Sequence, residues 1–207
     1  MHFIKSLKKY YVYTTILLLI FCFFYDPLGI WDSPEEKTFK QLEVALVDWY
    51  YKYNPTVATS HNINTYNKEL EKYDLVSIKE YNADLNRFMI ELSQIDQTKL
   101  DDFYLQKYLI TEDFLYRNNY ELSNFNYYSY NPSDSIERIF NSLFFIMYNQ
   151  EINTEDKFEA LSFRLELIPN CINNIEKNLD YYSKDDFEES ILLIDQFEYL
   201  LKSLLLS

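Results

Sequence analysis

Apolar residues along this chain recur at spacings of three and four, and the longest such run lies toward its C-terminal end. Phe158, Leu161, Leu165, Ile168, Ile172, Ile175 and Leu179 follow that spacing. Asp156, Glu159, Glu166, Asn170, Asn173, Glu176 and Lys177 fill the opposite positions. This phase puts the apolar residues on one side of a helix, and a helix with one apolar side needs partners. Pro169 interrupts the run. It has no N–H to give and crowds the carbonyl of Leu165, so a kink or a short break is expected there.

The same pattern predicts five further helices. The first starts at Ser33, with Pro34 at the first helical position and Glu36 completing a capping box. Its stripe is Phe39, Leu42, Leu46, Trp49 and Tyr53, and Asn54-Pro55 ends it. A loop of about a dozen residues follows, rich in Thr and Asn. A second capping box, Ser77 with Glu80, opens a helix through Ile78, Tyr81, Leu85, Phe88, Leu92 and Ile95. The next runs from Thr98 or Leu100 to Leu122, through Leu105, Tyr108, Leu109, Leu115 and Tyr116. An Asn/Tyr/Ser loop ends at Tyr130-Asn131-Pro132. Ile136, Ile139, Phe140, Leu143, Phe144 and Met147 mark a fourth helix, and Thr154 starts the Pro-containing one. The last begins at Ser183, with Asp186 in the capping-box position, and uses Phe187, Ile191, Ile194, Phe197, Leu201 and Leu204. No strand alternation occurs, so the expected class is all-α, a multi-helix antiparallel array.

The N-terminal residues follow a different rule. Lys5, Lys8 and Lys9 precede an apolar and aromatic run from Tyr10 to Tyr25, which ends at Asp26-Pro27. Basic before and acidic after is the pattern of a membrane-targeting segment with its N-terminus inside. Three readings compete. A cleaved signal wants small residues before its cleavage site, and a lipoprotein signal wants one before its Cys, where Phe21 precedes Cys22. An uncleaved anchor would span ~24 Å against a ~30 Å hydrocarbon core, a gap that Tyr10, Tyr11, Tyr25 and Trp31 can close at the interfaces. The anchor is the favoured reading. Residues 1–25 then form the membrane segment, 26–32 a linker, and 33–207 a helical domain outside the cytoplasm. Signal cleavage would instead give a secreted or periplasmic protein. Leu204-Leu205-Leu206-Ser207 ends inside an apolar run, which reads as a chain cut where a longer protein continues.

Composition removes several functions. One Gly in 207 residues leaves no Gly-rich phosphate loop and few tight hairpins. A net charge of −14 argues against nucleic acid, whose binders need a basic face, and against anionic lipid beneath the domain. The 21 Tyr and 16 Phe rise together with Asn, Lys and Ile, as codon bias produces, so they carry little functional weight. Cys22 and Cys171 make no disulfide framework.

Candidate chemistry is thin. His2 and His61 cannot pair on a helix face, and no H-E-x-x-H is present, so no metal ligand, catalytic residue or cofactor site is assigned. His61 would be the only base for a nucleophile, and a solvated loop His is the ordinary reading. Glu35-Glu36, Asp101-Asp102, Glu155-Asp156 and Asp185-Asp186 each fall in a first helical turn, where carboxylates answer the helix dipole. Glu112-Asp113 fits a wet helix face. Arg164, at the edge of the long stripe, is either a snorkelling surface residue or a partly buried one held by a carboxylate or by loop carbonyls. Tyr127, Tyr128 and Tyr130 either line a peptide groove or fold a loop down on the core.

The order of short motifs is familiar. Trp49 is followed by Pro55, Ala58-Thr59 and Tyr66-Asn67, then Ile95-Asp96 and Leu100, Glu121-Leu122, Asn131-Pro132, Arg164-Leu165 with Ile168-Pro169, and Asn178-Leu179. Over most of residues 40–205 this resembles the N-terminal region of the domain-of-unknown-function 885 family. Those are bacterial, often exported, mostly helical proteins that resemble zinc metallopeptidases. Two departures matter. Members usually carry a Gly after the Ala-Thr pair, where this chain reads Ser60-His61-Asn62, and the family's H-E-x-x-H lies in a C-terminal half with no counterpart here. The resemblance therefore implies a truncated or split metallopeptidase-like protein, non-catalytic alone, whose helices would wall or cover a peptidase cleft. The alternative is a membrane-anchored helical module that binds a protein or peptide and has no link to peptidases. The implied partners are the membrane, through residues 10–25, and a protein or the missing half, through the last helix.

Overall fold

The computed structural model describes residues 32–125, 129, 132–180 and 183–205. Among them are seven α-helices, two short 3-10 turns and no strand, so the all-α expectation holds. The helices are α1 (Pro34–Tyr53), α2 (Pro55–Ser60), α3 (Leu75–Ser93), α4 (Asp102–Phe125), α5 (Pro132–Tyr148), α6 (Thr154–Asn178) and α7 (Lys184–Leu205). The proposed membrane segment, both departures from it (cleavage or lipidation), and Tyr127, Tyr128 and Tyr130 lie outside the described residues. Among the described residues no helix is long and apolar enough to cross a membrane.

Two packed groups make up the molecule. In the first, Phe39, Leu42, Leu46 and Trp49 of α1 meet Leu85, Phe88 and Leu92 of α3 and Tyr104, Tyr108 and Leu115 of α4. The α1 stripe is the one its sequence spacing predicts. Trp49 anchors it by stacking on Tyr81, with ring centroids 4.6 Å apart. The capping box also forms: the Glu36 amide donates to Ser33 Oγ at 3.1 Å, and the Ser33 amide to Glu36 Oε2 at 2.6 Å. Glu36 Oε1 accepts a further bond from the Asp101 amide at 3.1 Å, which joins the start of α1 to the start of α4.

In the second group α5 is central and packs against α2, α6 and α7. Leu70, Tyr73, Ile139, Cys171 and Ile175 form its core. The last helix docks where Phe197 stacks on Phe140, centroids 4.0 Å apart. Its predicted capping box is present, with the Asp186 amide donating to Ser183 Oγ at 3.0 Å and the Ser183 amide to Asp186 Oδ2 at 3.3 Å.

Several expectations need correcting. The loop after Asn54 begins with α2, because Pro55 starts a helix well and Thr56, Ala58 and Thr59 are buried in the core. The α3 cap is Asp74, whose side chain accepts from the Val76 and Ser77 amides, not Ser77 with Glu80. In α4, Tyr104, Tyr108, Thr111 and Leu115 are buried, whereas Leu109 and Tyr116 face out. The long stripe of α6 holds only in part: Ile175 is buried and Ile168 packs against the second core, but Phe158 is 74% exposed and Leu165 47%, and Ala160, Arg164 and Cys171 fill the rest of the buried face. Of the kink or short break expected at Pro169, the break is absent, since the helix runs through it. Pro169 lies on the exposed side, where water can take the carbonyl it leaves unbonded. In α7 the stripe also shifts, burying Ser190 and leaving Phe187, Ile191 and Ile194 exposed.

Candidate functional site

The centre of the second group is polar. Arg164 is completely buried, and its guanidinium finds no carboxylate there. Nη1 donates to the Ser142 carbonyl at 2.5 Å and Nη2 to Thr59 Oγ1 at 2.7 Å, with the carbonyls of Tyr66 at 3.3 Å and Pro55 at 3.5 Å alongside. Thr59 Oγ1 donates onward to Asn67 Oδ1 at 2.9 Å. Arg164 is therefore buried and not a snorkelling surface residue, but its acceptors belong to α5, α2 and the short turn at Tyr66 and not, as expected, to a carboxylate or a loop. Burial pulls the guanidinium pKa down to about 10, against the pull of Glu71 and Glu69, so it stays charged at neutral pH. Its Nε has no hydrogen-bond partner.

This clamp gathers residues far apart in sequence. Pro55, Thr59, Tyr66, Asn67 and Arg164 are the motif positions noted above, and they meet as a structural joint rather than as a catalytic set. The backbone turn they hold in place includes Asn62, at φ 61°, where the chain departs from the expected Gly. Asn tolerates the left-handed region better than other non-Gly residues, and Asn62 Oδ1 also accepts from Asn149 Nδ2 at 3.1 Å.

A second buried charge lies next to it. Glu71 is 6% exposed and accepts from the Thr56 amide at 3.1 Å and from Thr56 Oγ1 at 2.8 Å. Burial raises its pKa, with the Thr56 bonds and the charge of Arg138 pulling the other way. Arg138 pairs through Nε with Asp134 Oδ2 at 2.8 Å. Burial works against its charge, but Asp134 overrides that and holds it firmly protonated. Glu71 and Arg138 line a cleft of about 220 Å³ between the two helical groups, with Tyr53, Ile78, Tyr81, Asn118, Glu121 and Leu122 among its other walls.

The remaining candidates separate. His61 is exposed and shares a 3.1 Å hydrogen bond with Tyr51, with no nucleophile placed beside it. Glu36 and Asp186 cap helices, and Asp101 Oδ1 accepts from the Tyr104 amide at 2.8 Å. Asp113 pairs with Arg117. Cys171 is a free, buried thiol whose pKa burial pushes up to about 11. Among the described residues no group of His, Cys, Asp and Glu is placed to hold a metal ion. Sequence reasoning missed Glu71 and Arg138, which stand in segments without helical periodicity or next to an ordinary i,i+4 acid.

No family model matches the chain, and no curated protein does. Among solved structures, the fold is similar to that of a "putative lipoprotein of unknown function" from Shewanella oneidensis, with a TM-score of 0.71 at 18% identity. The match covers 77% of this chain and 29% of that one, so this chain spans under a third of the length of the protein it resembles.

Proposed function

We propose that this chain is an exported, membrane-tethered helical docking module without catalytic activity of its own, which binds a second polypeptide through the outer faces of α6 and α7. One observation carries this. Phe158, Phe163, Leu165 and Ile172 on α6, and Phe187, Ile191, Leu192 and Ile194 on α7, are large apolar residues left open to solvent. Both helices pack on α5, so their outer faces belong to the same side group. Such concentrations of exposed apolar surface mark interfaces. Lipid is a poor occupant, because Glu159, Glu166, Glu188 and Glu189 flank the face and repel anionic headgroups. A polypeptide is the better one. In the Shewanella oneidensis protein the same fold is one part of a chain more than three times as long as the matched stretch. The resemblance to the domain-of-unknown-function 885 family makes the partner specific: a helical polypeptide carrying the H-E-x-x-H that this chain lacks.

The test asks whether the face is covered in the cell. In a Cys22→Ser background, Leu165→Cys should react readily with a membrane-impermeant maleimide when the protein is purified. In intact cells or spheroplasts it should be protected, while Lys79→Cys, an exposed control on α3, labels in both settings. Equal labelling of Leu165→Cys in both settings would refute the docking reading.

A further inference from the structure

The cleft between the two helical groups has features that packing does not call for. Arg138 uses only Nε, toward Asp134, and no described residue accepts from Nη1 or Nη2. The carboxylates nearest to it are already engaged, Asp134 by Arg138 itself and Glu71 by Thr56. Of the other charges in the lining, Lys72 and Glu121 stand exposed, so Lys72 adds positive charge and Glu121 the one open acid. The rest of the wall is mixed, with Tyr53, Tyr73, Tyr81, Ile78 and Leu122 set beside the polar Asn54, Ser77, Asn118 and Ser135. Tyr81 is held in place, its hydroxyl donating to Asn118 Oδ1 at 3.2 Å and its ring against Trp49.

We propose that this cleft binds the α-carboxylate of an apolar amino acid, free or at the C-terminus of a peptide, with Arg138 as the carboxylate fork and the tyrosines, Ile78 and Leu122 around its side chain. An unpaired guanidinium edge offers two parallel N–H groups, the geometry that matches a planar carboxylate. A dianion such as phosphate would meet Asp134 and Glu71 behind the arginine and Glu121 across the cleft, so a single negative charge is the most that Lys72 and the open edge of Arg138 can offset. The volume sets the size. At about 220 Å³ the cleft falls below the ~300–1,000 Å³ of pockets for drug-sized ligands, which suits a group the size of one amino-acid residue. The ends of four elements and one connecting segment build the cleft: the close of α1, residues 71–73 with the start of α3, the last turns of α4 and the first two of α5. A ligand there would therefore bridge the two groups.

The experiment is calorimetric titration of the full chain in mild detergent with L-leucine, N-acetyl-L-leucine and L-leucinamide. L-leucine, N-acetyl-L-leucine or both should bind saturably, and L-leucinamide, which lacks the carboxylate, should not. Stronger binding of L-leucine identifies a free amino acid as the source; equal or stronger binding of the N-acetyl form identifies a peptide C-terminus. Arg138→Gln should weaken binding at least about tenfold, and Arg138→Lys, which keeps charge but not the fork, should also weaken it. If Arg138→Gln fails to fold by circular dichroism, the amide comparison on the parent chain decides. Absence of saturable binding at millimolar concentration, equal binding of the amide, or unchanged binding by a folded Arg138→Gln chain overturns the proposal.

Discussion

Arg164 and Leu165 are neighbours in sequence with opposite fates, and substituting each with Ala tests the phase of α6 directly. Arg164 makes two close charge-assisted hydrogen bonds, to Ser142 at 2.5 Å and Thr59 at 2.7 Å. Bonds from a charged donor contribute about 1.5–3 kcal/mol each, so the gross contribution is about 3–6 kcal/mol. Against it stands the cost of burying the guanidinium with Nε unpartnered. Truncation removes that cost but takes the charged donor away from the Ser142 carbonyl and Thr59 Oγ1 and opens a cavity. The expected loss for Arg164→Ala is about 3–5 kcal/mol, the range for breaking a buried charged network. Leu165 is 47% exposed. Its truncation creates little cavity, and the expected loss is about 1 kcal/mol or less. Arg164→Lys should fall between, since an ammonium keeps the charge but not the planar fork. Urea unfolding followed by helical circular dichroism reads all three. If Leu165→Ala destabilises as much as Arg164→Ala, the apolar stripe is the core face and the reasoning from burial fails.

Two further outcomes follow from buried titratable groups. Burial holds the proton on Glu71 to a higher pH in the folded chain than the ordinary 4.5, so the folded state binds more protons across that window and stability falls as pH rises through it. Glu71→Gln, which keeps an acceptor for the Thr56 amide, should flatten this decline; a variant that loses more stability at neutral than at acid pH contradicts it. Cys171, buried with its pKa near 11, should react with a small disulfide reagent only as fast as the chain opens, and accelerate strongly in urea; rapid reaction in buffer contradicts its burial.

The first half of the fold was legible because its core is made of residues that hydropathy recognises. Phe39, Leu42, Leu46 and Trp49 repeat at helical spacing, and Ser33 with Glu36, like Ser183 with Asp186, announces a helix start through chemistry confined to four residues. The second half was harder for one physical reason. Arg164, Cys171 and Ala160 occupy the buried face of α6 and Ser190 that of α7. A charged, a small and a hydroxyl residue carry no apolar weight, so the eye follows the larger Phe158, Leu165 and Ile172 onto the wrong face. Only the spatial neighbours of Arg164 explain why a charge belongs inside, and all of them but Ser142 are about a hundred residues away. The cleft was invisible for a related reason, since its walls are residues from the ends of four elements and one connecting segment.

The Arg164 clamp also sets an order of assembly. Its bonds to Pro55, Thr59 and Tyr66 span 109, 105 and 98 residues. A ribosome releases α1, α3 and α4 long before it reaches Arg164, and those helices close on one another through nearer contacts. Thr59 and the Tyr66 carbonyl meanwhile have only their local partners, the Pro55 carbonyl or Asn67 for the one and the Glu69 amide for the other, because the guanidinium that ties them to α5 and α6 does not yet exist. The segment from Pro55 to Asn67 is thus the last part of the N-terminal region to settle. A chain stopped before Arg164 would keep its first helical group and leave that segment unanchored.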